Sequence, residues 1–402
     1  RVTAAGRDSS LHRMADLVAV AEGARTRYTS LADRMARAYA PAVHILALAA
    51  LSFWLWQTGG DLRLSLNIAA AVLIITCPCA LALAVPAVVT SASGRLFRKG
   101  LLIKNGTALE RLAEVDMVVF DKTGTLTLGA PEPGNLGEHA PKDLALAAAL
   151  AGASAHPLSR ALAEALAAAG VKPAKVDDIR EVPGQGVEGV WKGDKVRLGR
   201  AEWLGAKAGD VTASWLKTGD GPARAFTFAD RSRPGAEALI AAIRQQGKSV
   251  MILSGDSAAP VAALAAQLGV TDWRAGVFPD QKAAAIAALS AAGHRVLMVG
   301  DGLNDTAALA GAHVSISPAS ALDAARVASD IVLLGQDMQP IADALRIAVQ
   351  ARQRIKQNFA LSIAYNILAV PVAFAGFATP LIAALAMSAS SVTVSLNALR
   401  LK

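Results

Sequence analysis

The chain has 402 residues, 53% of them hydrophobic and 18% charged, with a mean hydropathy of +0.39 and a net charge of +8. That length holds two or three domains with sizeable cores, and that hydropathy places part of the chain in lipid. The excess positive charge does not describe a nucleic-acid surface. Arg95, Arg98, Lys99 and Lys104 follow one apolar segment, and Arg352, Arg354 and Lys356 precede another, which is the pattern of cytoplasmic membrane edges.

The sequence opens at Arg1 with neither an initiator Met nor a signal peptide, as expected of an internal segment. Residues 1–40 are polar to amphipathic, with Leu11, Met14, Leu17 and Val18 at helical spacing and Leu31 and Met35 continuing the stripe. Residues 41–56 are apolar and end in Trp54 and Trp56, an interfacial belt. A bilayer asks for roughly 20 residues, so flanking residues must help this run to span. Thr58-Gly59-Gly60-Asp61 is a tight turn. Residues 62–85 return across the membrane, interrupted by Cys77-Pro78-Cys79 and followed by Pro86. Residues 95–111 read as a polar helix. An apolar strand over 115–120 then ends in Asp121-Lys122-Thr123-Gly124-Thr125-Leu126-Thr127.

Residues 130–245 read as an insertion, with helices over 144–150 and 158–169 and strands over 182–190, 196–199 and 225–229. Alternation then resumes. A strand over 250–253 ends at Ser254-Gly255-Asp256, a helix covers 261–268, and a strand over 296–299 ends at Gly300-Asp301-Gly302. Apolar strand, Asp-bearing loop and helix in repetition imply a doubly wound sheet. Two more apolar runs, 359–377 and 381–399, are separated by Thr379-Pro380. Four crossings would leave both ends of the chain on the side of the α/β domain.

The chemistry gathers at the strand ends. Asp121 is delivered to the carboxyl edge of the sheet, where open α/β folds bind ligands, and a carboxylate so placed can attack a phosphoryl group. Thr123, Gly124 and Thr125 can turn sharply and aim N–H groups and hydroxyls at an anion, with Lys122 adding positive charge. Gly300-Asp301-Gly302-Leu303-Asn304-Asp305 supplies hard oxygen donors of the kind Mg²⁺ takes beside phosphate, from Asp301, Asn304 and Asp305. Lys282 can balance phosphate charge or serve as a solvated residue at a helix start. Asp256, with Ser254, can hold a phosphoryl group or cap a turn. His156, followed by Pro157, is an ordinary helix start by position alone, and Gly184-Gln185-Gly186 is a weak glycine signal. Cys77 and Cys79 are poorly spaced for a disulfide but suited to a soft metal. Pro78 distorts the helix so that residues two apart can approach one ion. The closing runs offer Tyr365-Asn366, and Met387 with Ser391 four residues on, which read equally well as packing residues.

Taken together, Asp121 to Thr127, the Asp301 loop and Cys77-Pro78-Cys79 resemble the heavy-metal-transporting P-type ATPases. The resemblance implies a multi-domain α/β plus α-helical membrane protein. A haloacid-dehalogenase-like phosphorylation domain would carry an inserted α+β nucleotide-binding domain and stand on four transmembrane helices. Its expected parts are an actuator-domain tail and linker helix (1–40), two membrane helices (41–94), the first part of the phosphorylation domain (95–129), the nucleotide-binding domain (130–245), the second part of the phosphorylation domain (246–350) and two membrane helices (351–402). It further implies ATP and Mg²⁺ as cofactors. Asp121 would accept the γ-phosphate, Thr123 and Thr125 would line the site, Lys282 would contact phosphate, and Asp301, Asn304 and Asp305 would hold the magnesium. The family's Ser-Glu-His-Pro motif corresponds to Ser154-Ala155-His156-Pro157, whose His would pack near adenine and whose usual Glu is here Ala155. Gly184 and Gly186 match its nucleotide loop.

Cys-Pro-Cys, Tyr-Asn and Met-x-x-Ser-Ser, with no ionisable residue except Tyr365 between Phe359 and Leu399, resemble the monovalent-copper subgroup rather than the zinc, cadmium and lead one. The expected cargo is Cu⁺, with Ag⁺ as an alternative. The expected setting is a bacterial plasma membrane, with the nucleotide and phosphorylation domains cytoplasmic. A soluble copper chaperone and membrane lipid are the expected partners, and nucleic acid is not. The family's Thr-Gly-Glu actuator loop does not occur in these 402 residues, so the segment by itself is expected to bind ATP and phosphorylate at Asp121 without completing a transport cycle. The rival readings are a membrane-anchored phosphatase acting on a small phosphorylated metabolite and a copper-binding scaffold that keeps vestigial loops.

Overall fold

The computed structural model describes residues 31–402 except 78, 208–211, 302, 322 and 402. The expectations for residues 1–30, for Pro78 and for Gly302 lie outside the described residues.

Among the described residues, thirteen strands form two sheets. β1 (Leu101–Ile103) and β2 (Met117–Asp121) belong to the first. The second is built wholly from β3 (Thr127–Pro133), β4 (Asp177–Val182), β5 (Gly186–Trp191), β6 (Asp194–Gly199), β7 (Ala213–Thr218) and β8 (Arg224–Ser232). The first resumes with β9 (Ser249–Leu253), β10 (Asp272–Arg274), β11 (Val296–Val299), β12 (Val314–Pro318) and β13 (Ile331–Leu333). Its order is β1-β13-β12-β11-β2-β9-β10, parallel throughout except that β1 runs against β13.

The interior strand β2, between β11 and β9, is buried at every position, as befits a continuous apolar run covered on both faces. Alternate residues feed two cores. Val118 and Phe120 join Ile252, Leu297 and Val299 beneath the Ala236–Gln245, Ala258–Gln267 and Gln339–Phe374 helices. Met117 and Val119 join Met251, Leu253 and Met298 beneath the Pro279–Ala291 and Thr306–Gly311 helices. Because β2, β9 and β11 are adjacent and parallel, the loops after Phe120, Leu253 and Val299 emerge side by side.

The second sheet is antiparallel, in the order β3-β8-β7-β6-β5-β4, with the Pro141–Ala151 and Pro157–Ala168 helices packed on its apolar face. Sequence patterning found both helices and part of the strand set, and differs from the structure in three places. The expected strand over 182–190 is a β4–β5 hairpin that turns at Pro183-Gly184-Gln185, since a Gly-Gln-Gly tip reverses the chain. The insertion's sheet begins at Thr127 rather than near 130, and β7 went unread.

The expected polar helix over 95–111 is also corrected. The helix from Cys79 ends at Arg98, the chain turns at Lys99-Gly100, and β1 follows before a short helix at Ala108–Leu112. Arg111 is not a solvated membrane-edge cation. It is 4% exposed and pairs with Asp330 through Nη2 at 2.6 Å, pinning that helix to the loop before β13.

The apolar runs are helical. Leu31–Gln57 is one helix, and the run over 62–85 is divided into Leu62–Ile75 and Cys79–Arg98 at the Cys-Pro-Cys sequence. Gln339–Phe374 and Pro380–Leu399 are long and apolar enough to cross a membrane. Only 22% of each apolar window is buried, which is not how the core helix of a soluble domain sits. Exposed Ile367, Leu368, Leu381, Leu385 and Leu399 line their outer faces. The Cys79–Arg98 helix packs against both of them. Trp54 Nε1 donates to the Phe374 carbonyl at 2.8 Å, tying the first helix to the end of the 36-residue one.

Candidate functional site

Asp121 stands at the last position of β2 with its carboxylate 7% exposed. Lys282, 4% exposed at the start of the Pro279–Ala291 helix, donates to Asp121 Oδ1 and to Asp305 Oδ1, the latter at 2.7 Å. It is therefore the buried cation of the site and not a solvated one. Asp121, Asp301 and Asp305 each offer an oxygen, and these oxygens lie within 4.8 Å of one another. Asn304, in the same turn, is exposed.

The Thr123-Gly124-Thr125 turn fits against this group. Gly124 has φ +70°, and a Cβ built on it would land on the Asp301 carboxylate, so no other residue fits there. Thr125 is fully buried, and among the described residues its hydroxyl has no hydrogen-bond partner. A buried hydroxyl without a partner, one residue from the glycine that abuts Asp301, is suited to a bound anion or its metal.

The electrostatics agree. Burial, with the charge of Asp305 behind it, pushes Asp121 up to about 7 against the pull of Lys282. Burial and Asp305 push Asp301 up to about 6, opposed by Arg233. Asp121, buried beside the buried Asp305 and the half-buried Asp301, is thus partly protonated near neutrality. A divalent cation is what this donor set lacks, and hard oxygen ligands suit Mg²⁺.

Linkage gives a sign. A carboxyl whose folded pKa lies above its unfolded value stabilises below the unfolded pKa, and that stability is lost as pH rises through the folded one. Asp121 and Asp301 should therefore make the bare protein less heat-stable as pH climbs through about 6 to about 7. Millimolar Mg²⁺ should restore the melting temperature at about pH 8 and do little near pH 5, where it must first displace protons. Equal Mg²⁺ shifts at both values would contradict the site.

Lys122 sits elsewhere than its place in the sequence implies. It turns away from Asp121 and pairs with Asp230 Oδ2 at 2.6 Å and Asp256 Oδ2 at 2.5 Å. Burial works against its ammonium, but those two hydrogen bonds hold it above its ordinary value. Thr123 Oγ1 also reaches Asp256 Oδ2, at 3.1 Å. Together Lys122, Thr123, Asp230 and Asp256 line one side of a cavity of about 550 Å³ between the two sheets.

Arg233, just after β8, is 4% exposed and donates to the carbonyls of Thr125 (2.9 Å) and Gly124 (2.5 Å), clamping the turn from behind. Neither Asp230 nor Arg233 was found from sequence. Their signal, one acid and two bases in Asp230-Arg231-Ser232-Arg233 at a strand end before Pro234, looks like a solvated charge run.

In the insertion, His156 is the N-cap of the Pro157–Ala168 helix, its Nδ1 accepting the Leu158 N–H at 3.3 Å. Gly184 stands at the hairpin tip with open space around it. Gly186 has a different reason: at φ +152° its Cβ would strike the Leu198 carbonyl of β6, so its glycine serves strand packing. Further along the chain, the structure joins the sulfurs of Cys77 and Cys79 directly, with Cα atoms 5.5 Å apart, contrary to the expectation that their spacing disfavours a bond. The break between two helices at this point, rather than a continuous turn, brings them together. Tyr365 Oη and Asn366 Oδ1 are buried without a hydrogen-bond partner among the described residues. Ser391 Oγ donates to the Met387 carbonyl at 3.2 Å. The helices that bear these residues pack on the Cys79–Arg98 helix.

Fold and site together define a haloacid dehalogenase-like catalytic unit set on membrane helices. The family described as haloacid dehalogenase-like hydrolase matches residues 115–313. Among curated proteins, the nitrogen fixation protein FixI of Rhizobium meliloti is 46% identical over all of this chain and 53% of its own length. The copper-exporting P-type ATPase of Mycobacterium tuberculosis is 36% identical over 99% of this chain and 54% of its own. The chain thus spans about half the length of the curated relatives it matches.

A zinc-transporting PIB-type ATPase in its E2·Pi state superposes with a TM-score of 0.89 at 29% identity, covering all of this chain and 68% of that one. The catalytic domain of the CPx-ATPase CopB-B is 30% identical, with a TM-score of 0.51 over 63% of this chain and 98% of that domain. This chain belongs to the P-type ATPases, in the class named PIB or CPx.

Proposed function

We propose that the chain is the catalytic and carboxyl-terminal membrane portion of an ATP-driven exporter of monovalent copper, acting through an aspartyl-phosphate at Asp121. The observation that carries this reading is the placement of Asp121 against Lys282 and the Asp301/Asp305 pair, with the hydroxyl of Thr125 unsatisfied. In this reading ATP enters the cleft between the two sheets. Asp121 Oδ attacks the γ-phosphorus in line as the bond to the β–γ bridging oxygen breaks and ADP leaves. Lys282 and the N–H groups of the Thr123–Thr125 turn meet the charge on the equatorial oxygens. Asp121, Asp301 and Asp305 would hold Mg²⁺, which when bound supplies charge neutralisation at the phosphate. Arg233 keeps the turn in register, and the Lys122–Asp256 pair orders the cavity wall.

The cargo reading rests on thiols, an amide, a phenol and a thioether carried by helices that pack together, a soft donor set that suits Cu⁺ or Ag⁺ better than hydrated divalent ions. The cargo would leave the cytoplasm across a bacterial plasma membrane, delivered by a soluble chaperone. The zinc-transporting structural neighbour makes Zn²⁺ the alternative cargo. Phosphorylation from labelled ATP, measured in reduced protein with Cu⁺, Ag⁺ or Zn²⁺, tests the assignment. Cu⁺ and Ag⁺ should stimulate the parent chain, and Cys77→Ser should lose the response. Stimulation by Zn²⁺ alone would overturn copper as cargo.

A further inference from the structure

Position 155 is Ala, so the turn before the Pro157–Ala168 helix brings no acid of its own. A carboxylate nevertheless reaches it from another element. Ser154 Oγ donates to Glu181 Oε1 at 2.7 Å, across 27 residues, and accepts the His156 N–H at 3.2 Å. Glu181 lies in β4, two residues before the hairpin tip that carries Gly184. Three features therefore meet at one end of the second sheet. The His156 ring is exposed and fixed by its Nδ1 cap, so the neutral ring carries its proton on Nε2. The tip is free of side chain at Gly184. Glu181 is an acceptor-only group whose second oxygen takes no hydrogen bond among the described residues.

We propose that Glu181, oriented by Ser154, determines base specificity by accepting a hydrogen bond from the exocyclic amine of adenine. This rests on the nucleotide reading above and adds to it the group that tells adenine from a 6-oxopurine. A flat heteroaromatic ring suits the exposed imidazole face and the bare glycine. An amine at position 6 meets the carboxylate with a charge-assisted hydrogen bond, whereas a carbonyl there meets it with repulsion. Ser154 holds one carboxylate oxygen, so the other is presented without first having to be ordered.

The test is binding of ADP and IDP to the full chain, in which hypoxanthine replaces the amine of adenine by a carbonyl. ADP should bind the parent about tenfold more tightly than IDP, the size of one charge-assisted hydrogen bond. In Glu181→Gln the ratio should fall to about one, because the amide can offer its N–H to the carbonyl as readily as its oxygen to the amine. IDP should bind this variant better than it binds the parent, an outcome that mere loosening of the fold does not produce. Ser154→Ala should lower the ratio by about threefold, as the carboxylate loses its support. Glu164→Gln, an exposed change of equal charge on the Pro157–Ala168 helix, should leave it as in the parent. If Glu181→Gln weakens ADP and IDP by the same factor, the proposal fails while nucleotide binding stands. If the parent binds neither nucleotide, both fail.

Discussion

Asp121→Asn is expected to abolish phosphorylation while leaving the chain more heat-stable than its parent at alkaline pH. The amide has the shape of the carboxylate and still offers Lys282 an acceptor, but it is no nucleophile, so acid-stable label from ATP should fall on the order of 10⁴-fold or more. The stability gain follows from the same burial that tunes the residue. Asp121 is held at about 7 against an ordinary 3.8, so above about pH 7 the protein carries an ionised carboxylate that the neighbouring Asp305 opposes. Removing that charge should stabilise the protein near pH 8. Near pH 5, where the native carboxyl is protonated and only the unfolded chain is ionised, the gain should be smaller. Acid-quench labelling and melting curves at the two values check both halves. Undiminished labelling would move the nucleophile elsewhere, and a lower melting temperature at alkaline pH would reverse the electrostatic account.

Lys282→Met should be the most damaging single change in the catalytic unit. The ammonium is 4% exposed and shared between Asp121 and Asp305. Without it two buried carboxylates lose the ammonium that bridges them, and breaking such a buried pair typically costs about 3–5 kcal/mol. Part of that cost is offset by proton uptake, so the loss should be larger near pH 8 than near pH 5. Phosphorylation should drop by about 10³-fold, since the charge that meets the transferring phosphoryl oxygens is gone. Lys282→Arg keeps the charge on a wider head and should recover stability more than activity. Denaturant titration and single-turnover labelling separate the two effects. A Lys282→Met chain that unfolds at the parent's denaturant midpoint would show that the ammonium does not bridge the pair.

What was legible in the sequence was what is contiguous. β2 and its Asp121 turn, and β11 with its Asp301–Asp305 loop, each put strand, turn and chemistry within a dozen residues. Periodicity and residue type sufficed for both. The hairpin, the unread strands β1, β3, β7, β10, β12 and β13, and the helix end at Arg98 were missed because three- to seven-residue strands between polar turns carry too little pattern. The harder misses are long-range. Arg233 meets Thr125 across 108 residues, and Asp230 meets Lys122 across the same distance. Nothing in a charged quartet at a strand end announces which side of the sheet it will face. Lys122 was misplaced for the converse reason. Adjacency in sequence to Asp121 says little about adjacency of side chains, because successive residues after a strand end diverge. The sulfur pair was misjudged from spacing alone, since a break between helices does not obey helical geometry.

The helix from Gln339 to Phe374 belongs to two cores at once. Ile341, Leu345 and Ile355 lie under the parallel sheet, while Tyr365 and Ala373 pack with Ile68 and Ile75 among the membrane helices. At 1.5 Å per residue its 36 residues make a strut about 54 Å long. Pivoting such a strut by about 5° about one end swings the other by about 5 Å, roughly one helical pitch. A modest rocking of the sheet, as its strand-end loops gain or lose a ligand, would thus arrive among the membrane helices, at Trp54 and Ile68, as a displacement of several ångströms.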